Sequence, residues 1–153
     1  MPIPTTESIA MNPALATAFR HEMASARAAW RVGDAAATFR FLERAHILGQ
    51  RHLGPHLLTH LWMLRVGWRL RDSREIVGQL MRLLATLPGA LFGWVPAGNT
   101  GRARVSALRP MPMPAEFEHH FAGQSMWRSV ATRLAVLAIV GVLALAGGFG
   151  AMA

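Results

Sequence analysis

At 153 residues, with 52% hydrophobic and 16% charged positions, the chain is too apolar to be a disordered tail and too sparsely charged for a charged coiled coil. Its sixteen basic residues are all Arg, set against eight acidic ones for a formal charge of +8, which favours acidic partners. The absence of Cys excludes disulfide frameworks, thiolate zinc sites, iron–sulfur clusters and cysteine nucleophiles, so a metal site must be built from His and carboxylates. Seven His, five of them between positions 21 and 60, are therefore the main chemical lead.

In chain order, residues 1–12 read as a tail without the basic and apolar regions of a secretory signal. Asn12-Pro13 then opens a helix that continues to Trp30 or Arg31, with Asn as the cap and Pro in the first helical position. Gly33-Asp34 ends that helix and caps a second, Ala35 to Leu48, which stops at Gly49. Gly54-Pro55 opens a third that reaches Leu70, and Asp72-Ser73 caps a fourth, Arg74 to Leu87, ended by Pro88-Gly89. The fold class is all-α: an antiparallel bundle of about four helices over 13–88, with Trp30, Trp62 and Trp68 in its core. Residues 89–115, rich in Gly and Pro and without periodicity, form an ordered loop, followed by a short helix near Glu116 to Phe121 in a juxtamembrane segment, 116–128. The stretch ARAAWRVGDAAATFRFLERAHILGQ resembles the helical hairpin of tetratricopeptide repeats, although a single such unit makes no repeat array.

From Leu134 to Ala153 the chain carries no charge, and twenty helical residues at ~1.5 Å each cross a hydrocarbon layer of roughly 30 Å. Residues 129–153 are accordingly expected to form a transmembrane helix. Arg128 and Arg133 precede the run and no charge follows it, so the expected topology is a tail anchor in the inner, cytoplasmic membrane with the N-terminal domain in the cytoplasm. Trp127 falls at the interface, and Trp94 nearer the surface. Membrane lipid is the expected partner of the Arg-rich half of the chain. Gly141, Ala144 and Gly148 offer a flat face to a membrane-protein partner. Nucleic acid is not expected, because the Arg residues form no recognition helix and no aromatic platform accompanies them.

The chemistry concentrates on three helices. Leu15, Phe19, Glu22, Ala26 and Trp30 share one face of the first, which places a carboxylate in an apolar stripe. On the second, Phe39, Leu42 and His46 mark the apolar side, and Glu43 stands three residues before His46. On the third, His56 and His60 are four apart, close enough on one face to share an ion. Glu22, Glu43, His46, His56 and His60 together make five N/O ligands suited to iron, manganese or zinc. The alternative is a polar core network in which these residues pair with Arg27, Arg44 or one another. His21 and His52 read as solvated, and His119-His120 beside Glu116 and Glu118 as interfacial. No nucleotide, flavin or serine-hydrolase motif is present.

LERAHILGQ, then His56 and His60 followed by the Met-Leu of LWML, then VPAGNTGRARVS and PMPMP, together resemble a bacterial helical domain family of unknown function. The resemblance covers roughly Ala14 to Pro114 and excludes the expected anchor. It implies a recurrent helical module and no substrate. The Gly and Asn content of the loop suggests that it folds back over the helices near the His cluster. Two functions follow from the sequence: a tail-anchored protein carrying a His/Glu metal site, or a non-catalytic accessory or assembly subunit of a membrane complex.

Overall fold

The computed structural model describes residues 11–93, 95–122, 134–135 and 137–139. Among these no strand is found, and the helices are α1 (Pro13–Arg31), α2 (Ala35–Gly49), α3 (Leu53–Leu70), α4 (Ser73–Phe92) and α5 (Ala115–Phe121), with residues 134–135 and 137–139 helical as well. Capping explains three of the starts. The side chains of Asn12, Asp34 and Asp72 accept the backbone N–H of Leu15 (2.9 Å), Ala37 (2.8 Å) and Glu75 (3.0 Å), each satisfying a donor that the first helical turn leaves open. α3 ends on Arg71, which takes the left-handed conformation at φ 53°.

α4 runs further than its sequence predicts. Pro88 lies inside the helix, which ends only at Gly93, where φ is +73°. Proline removes one intrahelical hydrogen bond, but helical residues on both sides carry the chain through it, and the terminator is the glycine that tolerates a positive φ.

Each helix packs on the next, α1 on α2, α2 on α3 and α3 on α4. The core between them takes Leu15, Phe19, Met23 and Ala26 from α1, Phe39, Leu42, Ala45 and Leu48 from α2, and Met63 and Val66 from α3, and Phe117 of α5 closes it. At the α2–α3 turn a side chain on Gly49 would lie within 2.9 Å of both Phe19 and Pro55, so the close approach of the two helices there requires glycine. Trp30 and Trp62 pack edge to face at the border of the core (6.2 Å between centroids). Trp68, expected inside, is 71% exposed. Its place on the face of α3 turned away from Met63 and Val66 decides this. α4 carries a stripe of exposed apolar residues, Val77, Leu80, Met81, Leu84 and Leu87, at helical spacing.

The membrane part of the expected fold is corrected. Among the described residues no helix is long and apolar enough to cross a membrane. A span needs one uninterrupted helix of about twenty apolar residues, and no described helix meets both conditions. Most of 129–153, together with Trp94, Trp127 and residues 1–10, lies outside the described residues.

Candidate metal centre

His46 sits in the last turn of α2, and His56 and His60 lie one turn apart near the start of α3. All three are buried, and their ring centroids form a nearly equilateral triangle with sides of 4.7, 4.8 and 4.8 Å. One nitrogen from each can be chosen so that all lie within 4.8 Å of one another. The Nε2 atoms of His56 and His60 are 3.0 Å apart. Tetrahedral zinc with Zn–N bonds of ~2.0–2.1 Å holds its nitrogens roughly 3.3 Å apart.

The surroundings fix which nitrogens carry lone pairs. His46 Nδ1 lies 2.8 Å from the carbonyl of Asn99, which can only accept, so this nitrogen holds the proton and Nε2 is left with its lone pair. His60 Nδ1 lies 2.7 Å from Gln79 Oε1. The Gln79 amide is oriented by its own Nε2, which donates to Glu75 Oε1 (2.7 Å) and to the carbonyl of Gly101 (3.0 Å), so Oε1 must accept from His60. His60 Nε2 therefore also faces the cluster as a lone pair. His46 Nε2 and His56 Nδ1 are fully buried and find no hydrogen-bond partner among the described residues.

Burial makes all three imidazoles neutral. It pushes His46 well below the usual histidine range, with the neighbouring His56 and His60 acting in the same direction. Burial, reinforced by His60, pushes His56 down to about 3. His60 falls to about 4, burial outweighing the Gln79 hydrogen bond that favours its charged form. Neutral imidazole is the ligating form, so the cluster needs no proton release near neutral pH.

The loop after α4 builds the other wall. As its composition suggests, it folds back over the His cluster. Asn99 holds it there: its Nδ2 donates to the carbonyls of Ser106 and Arg109 (2.8 Å each) and its Oδ1 accepts from Gly101 N (2.9 Å). Gly101 adopts φ +78°, and a Cβ on it would stand 2.7 Å from the His46 ring, so both backbone and space require glycine. Between the cluster, α4 and this loop lies a cavity of about 170 Å³, lined by the three His and mostly by apolar residues.

The structure brings together three of the five expected ligands. Glu22 and Glu43 turn instead to arginines. Glu22 Oε1 accepts from Arg44 Nε at 3.0 Å, and Arg44 reaches on to Glu116 at 2.8 Å. Glu43 accepts from Arg102 Nη1 at 3.0 Å. A carboxylate beside an Arg on a neighbouring element gains a charge-assisted hydrogen bond. Among the described residues the grouping close enough to hold an ion is His46, His56 and His60, with no carboxylate.

Four contributors escape a reading of the sequence. Glu75, fully buried, accepts from Gln79, from Arg102 Nε (3.2 Å) and from Ala103 N (3.4 Å), and Arg102 also stacks 3.5 Å over Phe39. Glu75, Gln79, Asn99 and Gly101 thus orient the histidines. The available signals are the Glu75–Gln79 spacing of four on α4 and the Gly-Asn-Thr-Gly run of the loop. Of the remaining histidines, His21 is exposed, His52 occupies the N-cap of α3, and His119 and His120 stack on each other in α5 (3.9 Å).

Residues 13–121 match the profile of a family described as a protein of unknown function (DUF3703). No curated protein and no solved structure shows a match.

Proposed function

The chain belongs to the DUF3703 family, and because that membership carries no activity, we propose from the site itself that the protein binds one transition-metal ion on His46, His56 and His60. The observation that carries this reading is the fully buried, unpartnered His46 Nε2 in a cluster of three buried imidazoles, with His46 and His60 held in the ligating tautomer. An unsatisfied buried polar atom costs about 1–3 kcal/mol, and coordination removes that cost. An all-imidazole donor set suits zinc, iron, copper or nickel and is a poor match for manganese, which prefers oxygen. Three protein ligands leave a coordination position open toward the cavity, as in zinc sites that act on a bound molecule. Purified chain stripped with chelator should take up one equivalent of Zn²⁺ or Co²⁺ in a competition titration. His46→Ala and His60→Ala should each weaken that uptake at least tenfold while far-ultraviolet circular dichroism stays helical. Uptake unchanged in both variants would sink the proposal.

A second reading, a non-catalytic subunit, is favoured by the apolar stripe on α4, where Leu84 is 74% exposed. It requires association that Leu84→Glu abolishes, and it leaves metal uptake untouched.

A further inference from the structure

The charge and the lining of the cavity together define what the open position can take; this step rests on the metal reading. Three neutral imidazoles leave a divalent ion with both its charges. Arg82 adds a further positive charge on the cavity wall. Glu75 and Glu43 share Arg102, so with Arg82 these side chains sum to no net charge, and the two charges of the ion are the ones left without a counter-charge. Uncompensated positive charge beside an apolar cavity is costly, so an anion entering from outside is favoured.

The polar groups of the wall are committed to the fold. Arg82 donates to the carbonyls of Gly78 (3.2 Å), Arg102 (2.9 Å) and Val105 (2.6 Å). Thr86 Oγ1 donates to Arg82 O at 2.6 Å. The Gln50 amide, turned so that its nitrogen donates to Pro96 O (3.0 Å) and its oxygen accepts from Gly98 N (3.2 Å), is occupied as well. Asn99 spends its amide on the loop. What remains facing the cavity is hydrocarbon: Ala85, Pro88, Val95, Pro96, Ala107 and Leu108. Its volume of about 170 Å³ is comparable to that of a dry cavity that binds benzene, so it accommodates about six heavy atoms.

We propose that the open position takes a small monovalent anion with a short hydrocarbon body, of the class of short-chain carboxylates. The charged end meets the metal on the side of Arg82, and the chain lies against the apolar wall. Ala85, Pro88, Ala107 and Leu108 are exposed and form the mouth through which it enters.

The Co²⁺-loaded full chain tests this through its visible absorption, titrated with acetate, butyrate and butyramide. Both carboxylates should shift the cobalt bands, butyrate binding roughly tenfold more tightly because it buries two further methylenes. Butyramide, of the same shape without the charge, should shift nothing. Ala85→Phe and Ala107→Phe, substituted at exposed positions of the wall, should keep cobalt and lose the preference for butyrate. Equal affinity for acetate and butyrate, a response to butyramide matching that to butyrate, or an unchanged preference in both Phe variants would overturn the proposal while cobalt binding stands. Failure of the native chain to take up cobalt would overturn the metal reading, and this proposal with it.

Discussion

Acidification of the metal-free protein from pH 7 to pH 5 is expected to remove about 4 kcal/mol of folding stability through two histidines alone. In the unfolded chain a histidine titrates near 6.5, whereas in the fold His56 is lowered to about 3 and His60 to about 4. Between these values the unfolded state binds more protons than the native state, so stability falls as pH falls. The neutral, buried form is stabilising above pH 6.5, and its contribution is lost progressively down to the folded values. From 6.5 to 5 is about 1.5 units at 1.36 kcal/mol per unit, or about 2 kcal/mol per histidine. His46, lowered by the same burial, acts in the same direction. Asp72 and Glu116, whose carboxyls are lowered by hydrogen bonds from Glu75 N–H and Arg44 respectively, lose their contribution only below the ordinary carboxylate range. Against a typical total of about 5–15 kcal/mol, such a loss is a large fraction of the stability.

Urea denaturation followed by circular dichroism in chelator, repeated every half unit of pH, measures the slope. The midpoint should drop steadily below pH 6.5, and His56→Leu combined with His60→Leu should flatten the drop by removing both titrating groups. A midpoint level from pH 7 to 5, or a slope undiminished by the double substitution, would refute the reasoning; the smaller slope that remains belongs to His46. Zinc at about a hundred times its dissociation constant should add about 2.7 kcal/mol at pH 7.

Two substitutions probe the wall around the histidines. Arg102→Ala strands Glu75 fully buried and is expected to cost about 3–5 kcal/mol, a loss that the second change Glu75→Gln should partly restore in thermal denaturation. Gly101→Ala, strained at φ +78° and set against the His46 ring, should cost about 1 kcal/mol or more and weaken zinc at least tenfold, whereas Gly54→Ala, with open space around it, should leave zinc affinity unchanged; equal zinc affinity in the two would count against His46 as a ligand.

Local rules in the sequence reach as far as the elements and half of the site. Asn12, Asp34 and Asp72 are legible as caps because capping is decided within four residues. The pairing of His56 with His60 follows from helical spacing, and His46 follows from its place on the Phe39–Leu42 face. Glu22 meets Arg44, as the polar-network alternative has it, whereas Glu43 shows where such rules stop. Both stand at positions that could turn toward the histidines, yet Glu43 is taken by Arg102, fifty-nine residues away along the chain. Which cation a buried carboxylate meets is a property of the assembled fold. Glu75 is hidden for another reason: an acidic residue in the first turn of a helix has a sufficient local explanation in the helix dipole, which draws attention from its burial. The anchor expectation finds no support among the described helices, none of which is long and apolar enough to cross a membrane, and most of its residues lie outside the described ones.

The site also explains why a Gly/Pro-rich segment without secondary structure keeps one conformation. Asn99 fixes the loop upon itself, its carbonyl meets His46 of α2, and the Gly101 carbonyl meets Gln79 of α4, which in turn holds His60 of α3. An ion bound by His46 and His60 therefore ties α2 to α3 directly and ties the loop and α4 through the groups that orient those rings. Because orientation and binding are linked, whatever holds the loop against the histidines raises metal affinity, and metal must stabilise the loop to the same extent. Hydrogen exchange reads this coupling without any assay of activity. Amides of residues 97–111 should gain protection on zinc binding along with those around His46 and His60. Protection confined to α2 and α3, with the loop exchanging at its metal-free rate, would show that the loop covers the site without taking part in it.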